Sequence, residues 1–462
     1  MENFGCRATQ ADGAAIERQF EDRGFQRATH VADAKLVVLN TCTVTAAADQ
    51  DARAAIRRIH RANPDCEIVV TGCYAQRAPD EIAAIPGVSQ VIGNSHKHLL
   101  ADLIVSRERQ VPRSTANDNT FVALQDLTTQ PSVFVSDIFA HTELLAAPVF
   151  DAANERTRPN LKVQDGCDNR CSFCVIPYVR GQSRSLPLPR VLNEVHTLIS
   201  SGYREVVISG INLGRWGRDL GDLRFEDLIR SVLDQTSLEK LRISSVEPMD
   251  WSDELIHLVA SSPRIAKHAH VPMQSGSDTV LRAMHRKYRP WHYREKILKI
   301  REAMPQAAIG ADVMVGFPGE NDSDFQQTRR MVEDLPFTYL HVFTYSARPG
   351  TPAASMGNQV PVSIARERNR VLRDLAAQKK LAFMQAFVGK TIEAITLCTG
   401  NEAYTDALTE NYLKLRVRGK HAANRWMNAL VEGSEDGALV GLHSKSKCPD
   451  DSVYSANQTG DA

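Results

Sequence analysis

The chain reads as an α/β protein in three parts: an N-terminal parallel α/β domain, a central partial (βα)6 barrel and a small all-β barrel at the C-terminus. Three observations carry that reading. Apolar β-branched runs alternate with helix-forming stretches over the first part of the chain, the alternation resumes near Leu161 for six units, and past the long helical pattern that follows only short strands and turns remain. The 462 residues are too many for one core, and about 150 residues per domain gives roughly three. The boundaries fall at 1–135, 153–380 and 383–446.

In the first part, "KLVVLN" (Lys35–Asn40) and "EIVVTG" (Glu67–Gly72) are near-continuous apolar runs, the pattern of strands buried on both faces. Between them "AAADQDARAAIRRIHRANP" carries helix formers and closes on Asn63-Pro64. Strand, helix, strand implies a parallel sheet. From Ser106 to Arg158 the periodicity weakens into a long connection holding one or two strands.

The central strands are "LKVQDG", "EVVISGI", "KLRISSVEP", "KHAHVPMQ", "AIGADVMVGF" and "YLHVFTY". Helical stretches such as "PRVLNEVHTLISSG" and "DSDFQQTRRMVEDL" separate them, several with Asp or Ser caps. Six units make an open barrel, short of the closed eight. A long amphipathic helix over "PVSIARERNRVLRDLAAQKKLAFMQAF" leads to the terminal barrel, and the polar end "PDDSVYSANQTGDA" reads as disordered.

Composition narrows the class. A 43% hydrophobic and 24% charged chain is ordinary for a soluble globular protein, and its zero formal net charge argues neither for nor against a nucleic-acid partner. Apolar runs such as "LVVL" are far below the roughly 20 residues that span a bilayer, and "MENFGCRATQADG" has no apolar signal core. These features point to the cytoplasm and no membrane contact. Nine cysteines, an odd number over a long chain, argue against a disulfide framework and for metal or redox chemistry where they cluster.

They cluster at "DGCDNRCSFC". Cys167, Cys171 and Cys174 follow a C-x3-C-x2-C spacing, and no second pair follows to complete a four-ligand zinc site. Ferredoxin clusters also take four cysteines. A cubane cluster on three thiolates leaves one iron open to another ligand; an incomplete zinc site and chance clustering are the alternatives. A second triple is dispersed. Cys42 and Cys73 each lie just beyond the carboxyl end of a predicted strand, where open α/β sheets bind ligands, and Cys6 follows a short first strand. Cysteine is also a common core residue, so this triple alone leaves both readings open. Cys66, Cys398 in a core strand and Cys448 in the tail read as structural.

The motif at Cys167–Cys174, at the end of the first barrel strand with Phe173 before the last cysteine, resembles the radical S-adenosylmethionine (SAM) superfamily. With "GCRATQ", "NTCTVT" and "GCYAQ" ahead of it and a small β-domain behind, the chain closely resembles the methylthiotransferase family over nearly its whole length. "SGINLG", "SSVEP", "HVPMQSGSD", "MHRKY", "DVMVGFPGE" and "YSARPGT" recur as family features, while Thr9 stands where members usually carry Asn. The resemblance implies a radical-SAM barrel, a C-terminal TRAM (OB-like) module, and two [4Fe-4S] clusters with SAM. One cluster would sit on Cys167, Cys171 and Cys174 and cleave SAM with one electron; the other, on Cys6, Cys42 and Cys73, would hold the sulfur. A low-potential donor such as a flavodoxin or ferredoxin would supply electrons. For SAM itself, Phe173 is expected against the adenine, Gly210 at a close backbone approach, Asn212 on the methionine portion, and Glu247 and Gln274 on a ribose or amino group. Asp312 and Arg348, also placed at strand ends, are assigned no role.

Three substrates occur in the family: threonylcarbamoyl-adenosine in tRNA, isopentenyl-adenosine in tRNA, and an aspartate of a ribosomal protein. "NTCTVT", "QDGCDNRCSFCVIPYVRG" and "SSVEP" look most like the first type, which acts next to the anticodon, so the anticodon stem-loop of a tRNA is the expected partner. In "YLKLRVRGK", Lys414, Arg416 and Arg418 alternate with aliphatics and share one face of a strand. On an OB-like barrel such a cationic row suits phosphate, although charged strand faces are common without it.

Overall fold

The computed structural model describes residues 1–110, 131–141, 144 and 157–444. The expected disordered tail and Cys448 lie outside them, as does most of the connection from Ser106 to Arg158. The described residues up to Ala376, Thr157 aside, form one compact unit, and those from Ala377 a second. No helix among the described residues is long and apolar enough to cross a membrane.

The first unit begins with a parallel sheet in the order β1 (Glu2–Asn3), β2 (Leu36–Thr41), β3 (Glu67–Gly72), β4 (Val88–Gly93), β5 (Ser132–Phe134). Helices α1 (Arg7–Glu21), α2 (Ala46–Ala62), α3 (Cys73–Arg77), α4 (Pro79–Ala83) and α5 (Leu100–Gln110) connect the strands. The central strands β2 and β3 are mostly apolar and buried because helices cover both faces. Val37, Leu39, Ile68 and Val70 pack under Ala52, Ala55, Ile56 and Ile59 of α2. Val38, Val69 and Ile92 face Ile16 of α1 and Leu100 and Ile104 of α5. Burial of this kind contributes about 25 cal/mol per Å² and sets the register by side-chain parity.

The barrel contains every expected strand: β6 (Asn160–Asp165), β8 (Glu205–Gly210), β9 (Lys240–Ile243), β10 (His268–His270), β11 (Ala308–Val315) and β12 (Tyr339–Thr344), with a short β7 (Arg184–Ser185) added antiparallel to β6. β6, β8 and β9 pair in parallel, as do β10, β11 and β12, and an isolated parallel bridge links Leu241 of β9 to Ile265, three residues before β10. α6 (Ile176–Arg180), α7 (Leu188–Ser200), α8 (Phe225–Gln235), α9 (Asp253–Ser261), α10 (Asp278–Ala283), α11 (Pro290–Ala303) and α12 (Asp322–Asp334) intervene, and α13 (Val362–Gln385) follows. Ser252 and Asn321 cap α9 and α12 by accepting a backbone N–H. Odd–even alternation puts Leu161, Val163, Val206, Ile208, Leu241, Ile243, Ile309, Ala311 and Val313 in one helix-covered core. The opposite, concave face carries the polar partners. Asp312 is the fifth residue of β11, well inside the strand and not at its end as its motif implied.

The second unit is a closed barrel, β13 (Thr391–Gly400), β14 (Tyr404–Thr409), β15 (Lys414–Arg418), β17 (Ala438–His443), β16 (Trp426–Glu435), with β15 and β17 parallel and the other pairs antiparallel. A five-stranded closed sheet matches the OB-like expectation. Leu415 and Val417 enter its core while Lys414 and Arg418 stay exposed, as period two requires. Cys398 lies in β13 but past the irregularity in register that follows Thr396, where the strand is exposed, so the core reading is corrected. Its strand assignment was right and its burial was not.

Candidate active site

β6 ends on Asp165 and hands the chain to the cysteine loop through Gly166. Its φ is +71°, and a Cβ there would fall 1.8 Å from the Gln182 carbonyl, so only glycine fits. The loop is pinned by backbone bonds: Cys167 N–H donates to Gly181 O (3.0 Å), Ser172 N–H to Met284 O (3.1 Å) and Ala353 N–H to Ser172 O (2.8 Å). Cys174 N–H closes a turn onto Cys171 O (3.1 Å). Three donors reach the sulfurs: Asn169 N–H and Asn212 Nδ2 toward Cys167 Sγ (3.4 and 3.6 Å), and Arg286 Nη1 toward Cys171 Sγ (3.3 Å). Burial pushes the thiol of Cys167 up to about 11 and that of Cys174 to about 12, with the neighbouring Cys171 adding to both. Thiols so disfavoured as free thiolates suit a cation that would take them deprotonated.

The second triple converges as well. Cys6 caps the start of α1, Cys42 follows β2, and Cys73 opens α3 directly after β3. Gly5, at φ +109°, brings the first loop against the second; a Cβ there would lie 2.9 Å from Cys42 Sγ. β1, β2 and β3 are neighbours in the sheet, with Thr41 opposite Gly72, so the cysteines that follow them lie along one sheet edge; burial, then Cys73, with Cys6 adding a smaller push, raise the Cys42 thiol to about 11. Thr9, the departure from the family pattern, is buried with its hydroxyl 3.5 Å from Cys6 Sγ, and that contact orients the one exposed cysteine of the three. The Cys42 loop is clamped by Asp49: Thr43 Oγ1 donates to it (2.6 Å), Arg77 Nη2 donates to it (3.0 Å), and Arg348 pairs with it while donating to Thr43 Oγ1 (2.8 Å). Arg348, assigned no role from sequence, is a clamp on a cysteine loop.

The two triples are joined by α6, which starts two residues after Cys174. Cys73 packs against its Val179 and the preceding Val175, and Asn94 Nδ2 bridges Val179 O (2.7 Å) and Cys73 Sγ (3.6 Å). Beside this helix lies a buried ion cluster. Asp12 accepts from Lys97 (2.9 Å), Arg180 (3.0 Å) and Lys162, and Asp165 accepts from Arg180 (2.9 Å) and Lys162 (2.8 Å). Three cations face two carboxylates, and Arg180 lies on the helix that packs against Cys73. Such a surplus offsets negative charge on a thiolate-held centre.

Of the residues expected to hold SAM, one meets a barrel cysteine directly and one through an intervening arginine. Asn212 bonds Cys167, and Glu247 pairs with Arg286, the donor to Cys171. Gly210 has a packing reason: a Cβ would fall 2.8 Å from Gln164 Oε1, which accepts the Asn212 N–H (2.7 Å). Phe173 meets Phe317 edge-on at 6.5 Å, and Gln274, at φ +61°, bonds its N–H to Asp312 O (2.8 Å). Neither of these two contacts a cysteine in the hydrogen bonds described. Gln164 and Arg286 were missed from sequence, although both stand inside the quoted motifs "LKVQDG" and "MHRKY". In the second unit the cationic row is partly neutralised: Arg416 pairs with Asp436 (3.5 Å) and Arg418 with Glu432 (3.1 Å).

An open βα barrel with three convergent cysteines after its first strand defines a radical SAM enzyme, and residues 161–332 match the model of the radical SAM superfamily. Residues 1–93 match the model described as uncharacterized protein family UPF0004. The threonylcarbamoyladenosine tRNA methylthiotransferase MtaB of Bacillus subtilis is 36% identical over 90% of this chain and 89% of its own. That of Aquifex aeolicus is 34% identical over 93% and 99%. The tRNA-2-methylthio-N(6)-dimethylallyladenosine synthase of Thermobifida fusca is 34% identical over 86% and 77%. Among solved structures, the radical SAM methyltransferase TsrM of Kitasatospora setae shares the fold at a TM-score of 0.53 and 17% identity, over 75% of this chain and 70% of that one. The chain belongs to the radical SAM methylthiotransferase family.

Proposed function

We propose that this enzyme inserts a methylthio group at C2 of N6-threonylcarbamoyladenosine next to the anticodon of tRNA, in the cytoplasm, with electrons from a flavodoxin or ferredoxin. The observation that carries it is the pair of three-cysteine sets, one after β6 and one following β1, β2 and β3, on a chain alike over 90–93% of its length to MtaB relatives. Cys167, Cys171 and Cys174 hold one cluster and Cys6, Cys42 and Cys73 the other. When bound, the clusters supply one-electron cleavage of SAM at the first centre and a sulfur-carrying iron at the second. Asn169, Asn212 and Arg286 donate to the barrel sulfurs, which tunes the ease of reduction there. Asn212 and Glu247, reaching Cys167 and the Cys171 donor Arg286, would hold SAM beside that centre, with Phe173, Gly210 and Gln274 completing the pocket.

Mass spectrometry of tRNA nucleosides from cells lacking the gene tests the substrate. Loss of the methylthio group from threonylcarbamoyladenosine is expected; loss from the isopentenyl form, the base acted on by relatives at 33–34% identity, would overturn it.

Lys414, Arg416 and Arg418 are the phosphate-binding row. Lys414 has no acidic partner among the described residues, whereas the other two must leave Asp436 and Glu432 to reach RNA. Lys414→Ala is therefore expected to lower the salt dependence of tRNA affinity by about 0.7–0.9 in the log–log slope, and Arg418→Ala by less. Equal slopes in wild type and both variants would remove the row from the interface.

A further inference from the structure

One short stretch of chain touches both cysteine sets. β12 ends at Thr344, and the segment beyond it is rooted on the barrel by Tyr345 N–H, which donates to Val315 O (2.9 Å) at the end of β11. Ser346 Oγ then accepts the Ala46 N–H (3.3 Å) at the start of α2. Arg348 reaches the Cys42 loop, where its guanidinium donates to Thr43 Oγ1 (2.8 Å) and pairs with Asp49. A little further on, Ala353 N–H donates to Ser172 O (2.8 Å), inside the barrel cysteine loop between Cys171 and Cys174. Residues 348–353 therefore begin beside Cys42 and end between two barrel cysteines.

That segment, "RPGTPA", is stiff for local reasons. Thr351 N–H donates to Arg348 O (3.1 Å), which closes a turn with Pro349 at its second position and Gly350, at φ +83°, at its third. Those are the residues and the backbone sign of a type II turn. Thr351 Oγ1 donates to the same carbonyl (2.7 Å). Pro352 opens a single 3-10 turn, Pro352–Ser355, and each proline fixes its own φ. Arg348, Thr351 and Ala353 are buried, as are Thr43, Asp49 and Ser172 at the two ends.

Charge balance at Asp49 does not call for Arg348. Arg77 of α3 already donates to that carboxylate (3.0 Å), so a second guanidinium, carried by the barrel, adds location. Ser172 is itself held to the barrel by its N–H on Met284 O (3.1 Å) and its Oγ on Ala283 O (2.7 Å). Each end of the segment thus rests on a point already fixed within its own loop. At Cys73 the link to the barrel loop is α6. A single link leaves rotation about itself, and a second one at the Cys42 loop removes it.

We propose that residues 348–353 are a strut that fixes the Cys6, Cys42 and Cys73 set relative to the Cys167, Cys171 and Cys174 set, with Arg348 as a positioning residue for transfer. The strut is not needed to form either centre, since each loop keeps its own anchors. It governs how the two stand to one another, and a misplacement of about 1 Å costs about 10²-fold in a step that depends on orientation. Transfer needs both centres and SAM cleavage needs one, so the loss falls on transfer. This inference rests on the proposed two-centre function.

The test compares full-length wild type with Arg348→Met, Arg348→Lys and Gly350→Ala. Arg348→Met removes the clamp while Arg77 still pairs Asp49. Gly350→Ala leaves every clamp atom in place; nothing lies within 4 Å of the added Cβ, so only the positive φ resists it. In iron-free protein, alkylation of the buried Cys42, read against the exposed Cys6, is expected to quicken about tenfold or more in Arg348→Met and to be largely restored in Arg348→Lys. In reconstituted protein holding about eight irons, electron paramagnetic resonance with both clusters reduced should show an altered spin–spin interaction in Arg348→Met and in Gly350→Ala. In the same two variants, 5′-deoxyadenosine formed per methylthio product should rise about tenfold or more. A wild-type spectrum and product ratio in Gly350→Ala would overturn the strut and leave only a local clamp. Wild-type labelling of Cys42 in Arg348→Met would overturn it from the other end. Four irons in wild type would instead defeat the two-centre function on which the strut depends.

Discussion

Replacing Cys6, Cys42 and Cys73 together by Ala is expected to lower the iron content of the reconstituted chain from about eight to about four and to abolish methylthio transfer, while 5′-deoxyadenosine still forms under a strong reductant. The halving follows from the two centres having separate supports. The barrel cysteines are fixed by bonds to Gly181, Met284 and Ala353, none of which passes through the N-terminal loops. The N-terminal cysteines are fixed by Gly5, Thr9 and the Asp49 clamp. Loss of transfer follows because the variant lacks the centre proposed to carry sulfur. Cys398→Ala, at an exposed position of the terminal barrel, is the matched control and should leave iron and turnover unchanged. Iron analysis with SAM-cleavage and transfer assays on the same preparations decides it. Four irons in wild type, or full transfer by the triple variant, would remove the second centre; zinc in place of iron would remove both.

The six strands of the barrel were legible because each buries one face under helices, which forces odd–even apolar spacing. The cysteine spacing was legible because metal chemistry constrains it. Side chains that act across distant segments left no such trace. Asp12, Lys97, Lys162 and Arg180 come from four separate elements, and each alone reads as a solvated charge. Asp312 and Arg348 stood in recognisable motifs, but their partners, His341 and Asp49, are visible only once strand register and loop packing are known. Cys398 failed for a related reason: it shares parity with the buried Ala394 and Thr396, but the irregularity in register after Thr396, which carries it out of the core, is visible only once the strand pairing is known. The cationic row kept its predicted parity, yet Asp436 and Glu432 were brought to it by a neighbouring hairpin that local sequence does not reveal.

The same hidden cluster yields the largest expected effect on stability. Asp12→Asn leaves Lys97, Lys162 and Arg180 buried with Asp165 as their remaining carboxylate in the cluster, and breaking a buried ionic network from one side costs about 3–5 kcal/mol. Against a total of about 5–15 kcal/mol for a folded domain, that is a large fraction. The pH dependence follows from the same contacts. Burial would raise both carboxyls, but the adjacent cations hold Asp12 and Asp165 below the ordinary value. Their contribution is therefore fully present above about pH 3.9, the unfolded-state value, and is lost as pH falls through the folded values. Lys162 is raised despite its burial, so its contribution is present below about pH 10.4 and fades as pH rises past its folded value. Lys97 is lowered, chiefly by burial, and works in the opposite sense. Urea unfolding at pH 7 should show the full deficit for Asp12→Asn, and the gap to wild type should narrow as both are taken below pH 3.9. The double variant Asp12→Asn, Lys97→Met removes one cation along with the acid and should recover part of the loss. A deficit under about 1 kcal/mol at pH 7 would mean that the cations had found water or other partners, against the enclosed geometry. Because Asp12 sits on the Cys6 helix and Asp165 two residues before Cys167, a loosened network should also blur the spacing of the two centres; transfer would then fall more than SAM cleavage even where the chain remains folded.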